Sequence, residues 1–232
     1  MGGIALVPPT SALSEEGSAL LQGGEPAQDG HADTADMPEG AFDITMIGDS
    51  VSLRAVDAFM RTFPRGHIDA AMNRQFTAGI EIYRGLVEQG QAGRVAVFAL
   101  GTNGPFSSQD VDELMSLAGK GRIVVFVNNR AARPWCEPNN QVLADAAGRY
   151  GNIRLVDWYG ESADRGELFD GDGIHLSDAG AEEYIGLIDH QVRMFLPLHP
   201  EDGGDPRLLA AQHALDGLKQ ACTPRLGPIA TE

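Results

Sequence analysis

The chain has 232 residues, 43% hydrophobic and 22% charged, which suits a folded protein with one sizeable core or two small ones. Its 33 acids against 17 lysines and arginines give a net charge of −16, and residues 1–53 contain no Lys or Arg. That balance argues against a nucleic-acid partner, which needs a basic footprint, and no run approaches the roughly 18 apolar residues of a membrane-crossing helix.

Residues 1–40 are rich in Gly, Ala, Ser, Pro and acids without periodicity, so they are expected to form a disordered acidic leader or linker. The start, Met1-Gly-Gly-Ile-Ala-Leu-Val-Pro-Pro, lacks the basic region and apolar core of a signal peptide, so the sequence as it stands is read as having no export or anchoring device. From Phe42 the texture changes. Short apolar runs predict strands at Asp43–Ile47, Gly66–Ala70, Val95–Leu100, Ile123–Val127 and Ile153–Val156. Between them, Leu53, Val56, Phe59, Met60 and Phe63 recur at helical spacing, as do Ile80, Tyr83 and Val87, then Val111, Leu114, Met115 and Ala118. Pro138 suits the start of a helix running to Arg149. Ser177 suits the N-cap of a last core helix burying Tyr184, Ile185, Leu187, Ile188 and Val192. Pro197 and Pro200 close the domain, and 198–232 is expected to be a tail with a short helix along Leu208, Ala211, Leu215 and Leu218. Strands alternating with helices predict an α/β domain with a parallel sheet over 42–197.

Three short motifs fall at strand ends or just ahead of a helix, where open α/β sheets place their sites. They are Gly48-Asp49-Ser50-Val51, Gly101-Thr102-Asn103-Gly104 and Asp172-Gly173-Ile174-His175. A serine hydroxyl at a strand–helix turn is open to a substrate carbonyl, and its own backbone N–H can donate to an oxyanion. His175 supplies the base, and Asp172, three residues earlier, can hold the imidazole in the required tautomer. Asp170 is a competitor for that role, with the three-residue spacing favouring Asp172. Asn103 offers a neutral oxyanion donor. The Gly-x-Ser-x-Gly elbow of the other large α/β esterase group is absent.

This order of blocks resembles the SGNH (GDSL-type) hydrolase family from Asp43 to about Met194. The resemblance implies a flavodoxin-like three-layer α/β/α sandwich with a central parallel five-stranded sheet. It implies Ser50 as nucleophile, Asp172 and His175 as its partners, and Asn103 in the oxyanion hole with the Ser50 N–H. Where the wider family has an oxyanion-hole glycine, this sequence reads Met72-Asn73-Arg74-Gln75, which assigns the third donor to Asn73. Many relatives also carry Asp where Gly104 stands here. The segments Ile68–Gln75, Leu100–Phe106, Val127–Arg130, Arg133-Pro-Trp135, Val156-Asp-Trp158 and Asp172–Ser177 look like the extracytoplasmic catalytic domain of peptidoglycan O-acetyltransferases. In that branch the domain moves acetyl onto the C6 hydroxyl of N-acetylmuramic acid. It normally follows a membrane acyltransferase domain through a flexible linker, to which the acidic leader would correspond.

Trp135 and Trp158 suit either packing or stacking on a sugar ring. Arg74, Arg130 and Arg133 suit either solvated surface charge or contact with an anionic glycan or peptide. Arg74, Arg133 and Trp135 are taken as the substrate-binding candidates. The remaining histidines show no metal-ligand spacing, so neither metal nor cofactor is expected, and Cys136 and Cys222 fit no metal cluster or disulfide framework. The expected activity is serine-dependent acetyl transfer to a cell-wall glycan from an acetyl donor, at the extracytoplasmic face if the chain is part of a membrane acyltransferase. A carbohydrate or lipid O-acetylesterase and a catalytically silent glycan-binding module are the alternatives.

Overall fold

Three of the sheet's five short segments, Ile44–Gly48, Val95–Ala99 and Ile123–Val127, are almost all apolar and fully buried, because both of their faces are covered. The structure, a computed structural model, describes residues 42–197. Its strands are β1 (Ile44–Gly48), β2 (Gly66–Ala70), β3 (Val95–Ala99), β4 (Ile123–Val127) and β5 (Ile153–Val156). All pair in parallel, in the order β2-β1-β3-β4-β5. The expected leader and tail helix fall on residues outside the described ones.

Alternation along the strands distributes the core between two layers. Ile44, Met46, Val95, Val97, Ile123 and Val125 share one cluster with Phe59, Tyr184, Ile185 and Ile188. Phe59 belongs to α2 (Val56–Thr62) and the other three to α7 (Asp178–Val192), while Val51 of α1 (Ser50–Leu53) joins the same cluster. Ile47, Ala96, Phe98, Val124 and Phe126 share the other cluster with Ile80, Tyr83, Leu114 and Leu143. Those come from α3 (Phe76–Glu88), α4 (Ser108–Ala118) and α5 (Cys136–Arg149), while α6 (Trp158–Glu161) follows β5. This is the three-layer α/β/α sandwich. Each fully buried Phe contributes roughly 1.5–3 kcal/mol relative to exposure.

Local differences from the sequence reading have local causes. The first helical stretch is broken at Arg54–Ala55 into α1 and α2, which rotates the second piece. Val51, Ala55, Ala58, Phe59 and Phe63 therefore form the buried face, while Leu53 and Met60 are exposed. On α3 the turn places Leu86 inside and leaves Val87 only half-buried. Helix α5 begins at Cys136, so Pro138 occupies its first turn, where its missing N–H still costs nothing. Ser177 caps α7, its hydroxyl accepting from Gly180 N–H at 3.1 Å.

The order of strands fixes where a site can form. Chain connections run from β1 outward to β2 on one side and return to β3 on the other, so the carboxyl ends of β1 and β3 flank the switch point.

Candidate active site

Ser50 stands at that switch point as the first residue of α1, immediately after β1. Asp49 caps the helix with its carboxylate accepting Val51 N–H at 3.0 Å, while its own N–H donates to Ala99 O at the end of β3. Asp49 is only 1% exposed, and its second oxygen lies buried near Thr102 without a well-formed hydrogen bond. Burial raises its carboxyl above the ordinary carboxylate range, against the lowering effect of Val51 and Thr102.

His175 reaches Ser50 from the loop ahead of α7. Its Nε2 lies 3.0 Å from Ser50 Oγ and its Nδ1 lies 2.6 Å from Asp172 Oδ2. Asp172 Oδ1 also accepts the backbone N–H groups of Ile174 at 2.9 Å and His175 at 3.0 Å. The His175 side chain, first, and those two amides hold the Asp172 carboxyl down at about 2. An ionised Asp172 can only accept, so Nδ1 carries the ring proton and Nε2 presents its lone pair to the Ser50 hydroxyl. A serine in that geometry can transfer its proton to the ring as its oxygen attacks a carbonyl.

The competitor Asp170 is engaged elsewhere. Its carboxylate pairs with Arg54 at 3.4 Å, and its N–H donates to His175 O at 2.7 Å. Two arginines brace this loop from opposite ends, neither assigned that work from sequence. Arg54 Nε donates to Leu176 O at 3.2 Å. Arg130 donates to Gly173 O at 2.9 Å and lies over the Phe169 ring at 4.0 Å. Arg130→Ala is expected to lower kcat for a small ester by about 10- to 100-fold with a small change in melting temperature, since misplacement of a reacting group by about 1 Å costs that much. Unchanged kcat would show that the loop holds its shape without the brace.

The Asn73–Gln75 and Gly101–Gly104 segments meet beside Ser50. Asn73 adopts a left-handed backbone, φ 57°, and Ala71 N–H donates to Gly48 O at 3.3 Å. Asn103 donates one amide hydrogen to Arg74 O at 3.4 Å, leaving the other for a further acceptor, and Gln75 Nε2 donates to Asn103 O at 2.6 Å. Gly104 explains itself here. A Cβ at that position would come within 2.2 Å of Gln75 Oε1, so Gln75 occupies the space that a side chain at 104 would take. Gly101, at φ 125°, would likewise meet Asn129 Oδ1 at 2.0 Å.

The three substrate-binding candidates are placed differently from one another. Arg74 is a structural clamp: its side chain is 9% exposed, donates to Gly48 O at 3.0 Å and to the Asp69 carbonyl, and pairs with the Asp69 carboxylate at 2.6 Å. This differs from the surface role expected of it, because three of its five N–H donors tie the β1 and β2 ends together and the side chain is largely buried there. Trp135 is half-buried, its indole N–H donating to Thr102 O at 3.2 Å. Arg133 is exposed on the adjoining rim. Trp158, 2% exposed, packs edge-on against Tyr184 and against Phe169. Cys136 is buried with its thiol pushed up by burial, which makes it a poor rival nucleophile, and Cys222 lies outside the described residues.

Sequence reasoning missed the asparagines that hold the β3 loop. Asn139 Nδ2 donates to Gly101 O at 3.1 Å and Gly104 O at 3.0 Å, and Asn129 Nδ2 donates to Leu100 O at 2.9 Å. Asn140 accepts from Asn129 N–H at 2.7 Å and donates to Asn129 O at 2.9 Å. Paired asparagines at 128–129 and 139–140 are visible in the sequence, but only the crossing of α5 over the β3 and β4 ends turns them into a network.

No family model matches the sequence. The chain is 34% identical over 142 residues to the peptidoglycan O-acetyltransferase OatA of Listeria monocytogenes, covering 61% of this chain and 22% of that protein. It is 35% identical over 144 residues to the O-acetyltransferase OatA of Staphylococcus aureus, covering 62% of this chain and 24% of that one. The chain thus spans less than a quarter of the length of these relatives. Among solved structures, the C-terminal catalytic domain of Streptococcus pneumoniae OatA superposes with a TM-score of 0.59 at 23% identity, over 66% of this chain and 94% of that one. A GDSL-like lipase from Bacteroides thetaiotaomicron gives 0.54 at 16% identity, over 68% and 92%. The described chain has the SGNH-hydrolase fold of these structures and a hydrogen-bonded Ser–His–Asp line, and by sequence it is a relative of the peptidoglycan O-acetyltransferases.

Proposed function

We propose that this chain carries out serine-dependent acetyl transfer, with the cell-wall glycan peptidoglycan as acceptor and the N-acetylmuramic acid hydroxyl as the group that is acetylated. The observation that carries it is the hydrogen-bonded line Ser50–His175–Asp172, at 3.0 and 2.6 Å, in a chain similar to peptidoglycan O-acetyltransferases. Ser50 attacks the acetyl carbonyl while its proton passes to His175 Nε2. Asp172 stabilises the imidazolium, and the backbone N–H groups of Ser50 and Asn73 with the Asn103 amide receive the oxyanion. The leaving group takes the proton from His175, and an acetyl-Ser50 ester remains. A sugar hydroxyl then gives its proton to Nε2 as its oxygen attacks that ester, and the bond to Ser50 Oγ breaks as Oγ takes the proton back from Nε2.

In this reading the chain works beside a membrane acyltransferase segment that delivers acetyl to the extracytoplasmic face, as the resemblance to that branch implies. Among the described residues no helix is long and apolar enough to cross a membrane. The acidic leader would then be the linker.

An O-acetylesterase is the second reading, and one feature favours it. His175 and Asp172 side chains are 38% and 48% exposed, so water reaches the acetyl-enzyme unless the acceptor covers it. A silent glycan-binding module has no use for the aligned hydroxyl, ring and carboxylate. The deciding experiment loads the protein with p-nitrophenyl acetate in the presence of muramic-acid-containing oligomers. O-acetylated sugar by mass spectrometry is the expected product, since a positioned hydroxyl reaches effective molarities of 10⁵ M or more, roughly. Acetate alone, across several oligomer lengths, would leave the esterase reading standing.

A further inference from the structure

Beyond the Ser50 site the described residues enclose a cleft of about 770 Å³ where β4, β5, α5 and α6 meet, lined by Asn128, Arg133, Glu137, Gln141, Asp157 and Tyr159 among others. The segment around Trp135 links it to the site already described. Trp135, between Arg133 and α5, holds Thr102 O beside Asn103, while the flanking Arg133 and Cys136 line the cleft. β4 and β5 lie two and three strand places from β1, so the cleft sits roughly 10–14 Å from the Ser50 end of β1 at about 4.8 Å per place. An acceptor that fills both places must therefore extend beyond the group that receives acetyl.

The lining chemistry says what kind of molecule it takes. Tyr159 is 58% exposed, whereas every other described Phe, Tyr and Trp is buried or half-buried. A ring left in water on an otherwise well-packed protein is an apolar face without an internal partner. Tyr159 is nonetheless held, its N–H donating to Asn128 Oδ1 at 2.7 Å. Asn128 Nδ2 in turn donates to Asp157 Oδ1 at 2.7 Å, and Gly160 N–H donates to the same oxygen at 2.9 Å. The Asp157 carboxylate is thus oriented through one oxygen, and the other accepts no hydrogen bond among the described residues. Arg133 and Glu137, both exposed on the rim, add a fork of donors and a pair of acceptors that no described side chain engages. An oriented carboxylate, a cation, a second carboxylate and one exposed aromatic plate match a polyhydroxyl ring, with its hydroxyl edges and its C–H face.

We propose that this cleft is a distal sugar subsite, which binds a part of the glycan acceptor beyond the residue acetylated at Ser50; the assignment rests on the glycan-acceptor reading above. It predicts that affinity grows with acceptor length and that the growth depends on Tyr159. The test uses the full chain with Ser50→Ala, which cannot turn over, and measures binding of peptide-free peptidoglycan oligomers, from the disaccharide upward, by calorimetry. Tyr159→Ala and Arg133→Ala in that background should each weaken binding of the longer oligomers about five- to tenfold and flatten the length dependence. Tyr159→Phe, which keeps the ring, should retain most of it. Circular dichroism checks that each variant is folded. Length-dependent binding that Tyr159→Ala and Arg133→Ala leave unchanged would overturn the cleft while sparing the acceptor reading. A folded Ser50→Ala protein that binds no oligomer would overturn the acceptor reading, and the cleft with it.

Discussion

Ser50→Ala is expected to lower kcat for p-nitrophenyl acetate by about 10⁶-fold while leaving the circular dichroism spectrum unchanged. Removal of a nucleophile that acts as a unit with its base costs that much, because the base then has no hydroxyl to activate. The side chain is small and half-buried at the first turn of α1, and the cap that starts the helix is Asp49, so the fold does not depend on the Ser50 hydroxyl. The residual rate should equal that of the oxyanion donors and binding alone, about 10³- to 10⁴-fold above the uncatalysed reaction. A folded variant that keeps most of its activity would remove Ser50 from the mechanism, and with it the acetyl-enzyme.

Asp172→Asn is expected to lower kcat by about 10⁴-fold with His175 still in place. An amide at 172 can donate to Nδ1, which favours the tautomer whose proton sits on Nε2 and points it at the hydroxyl it should accept from. The measurement is the pH–rate profile of the folded variant against the parent; a drop of less than tenfold would show that Asp172 does not set the tautomer. In the parent, Asp172 stays ionised until the pH nears about 2, so its own protonation does not shape the rate at any milder acidity. The stability linked to it has a definite direction. Its folded value lies below the ordinary 3.8, so the folded state sheds that proton more readily. The contribution is complete above about 3.8 and disappears as pH falls through about 2, and the carboxylate's half-exposure to solvent keeps it small.

How much of this was legible in the sequence depended on whether a residue's job was local. The β-branched and aromatic runs at Val95–Ala99 and Ile123–Val127 have a job that neighbouring positions define, and they read directly as covered strands. The order of the Gly-Asp-Ser, Gly-Thr-Asn and Asp-Gly-Ile-His blocks placed their residues at strand ends and at the entry to α7, and the structure brings Ser50, Asp172 and His175 within hydrogen-bond reach. Arginines were opaque by comparison. Arg74, Arg130 and Arg133 look alike in sequence, yet one clamps β1 to β2, one braces the Gly173 turn and one stands on a cleft rim. A guanidinium on a long stem finds its partner through the fold, across 26 and 43 residues in the first two cases, and no periodicity encodes that distance. The break at Arg54–Ala55 was hidden for a related reason, since Leu53 and Met60 continue an apolar pattern that the backbone itself abandons.

Gln75 and Gly104 share one volume, and this constrains how such a chain can change over generations. The Gln75 amide sits where a Cβ on residue 104 would go and is fastened there by its bond to Asn103 O. A lineage carrying aspartate at 104 cannot be reached from this sequence by that single replacement without displacing Gln75 from Asn103. Either the Gln75 amide swings away and gives up its bond to Asn103 O, or a shorter residue takes its place at 75. The two positions should therefore drift as a pair, each recording the history of the other.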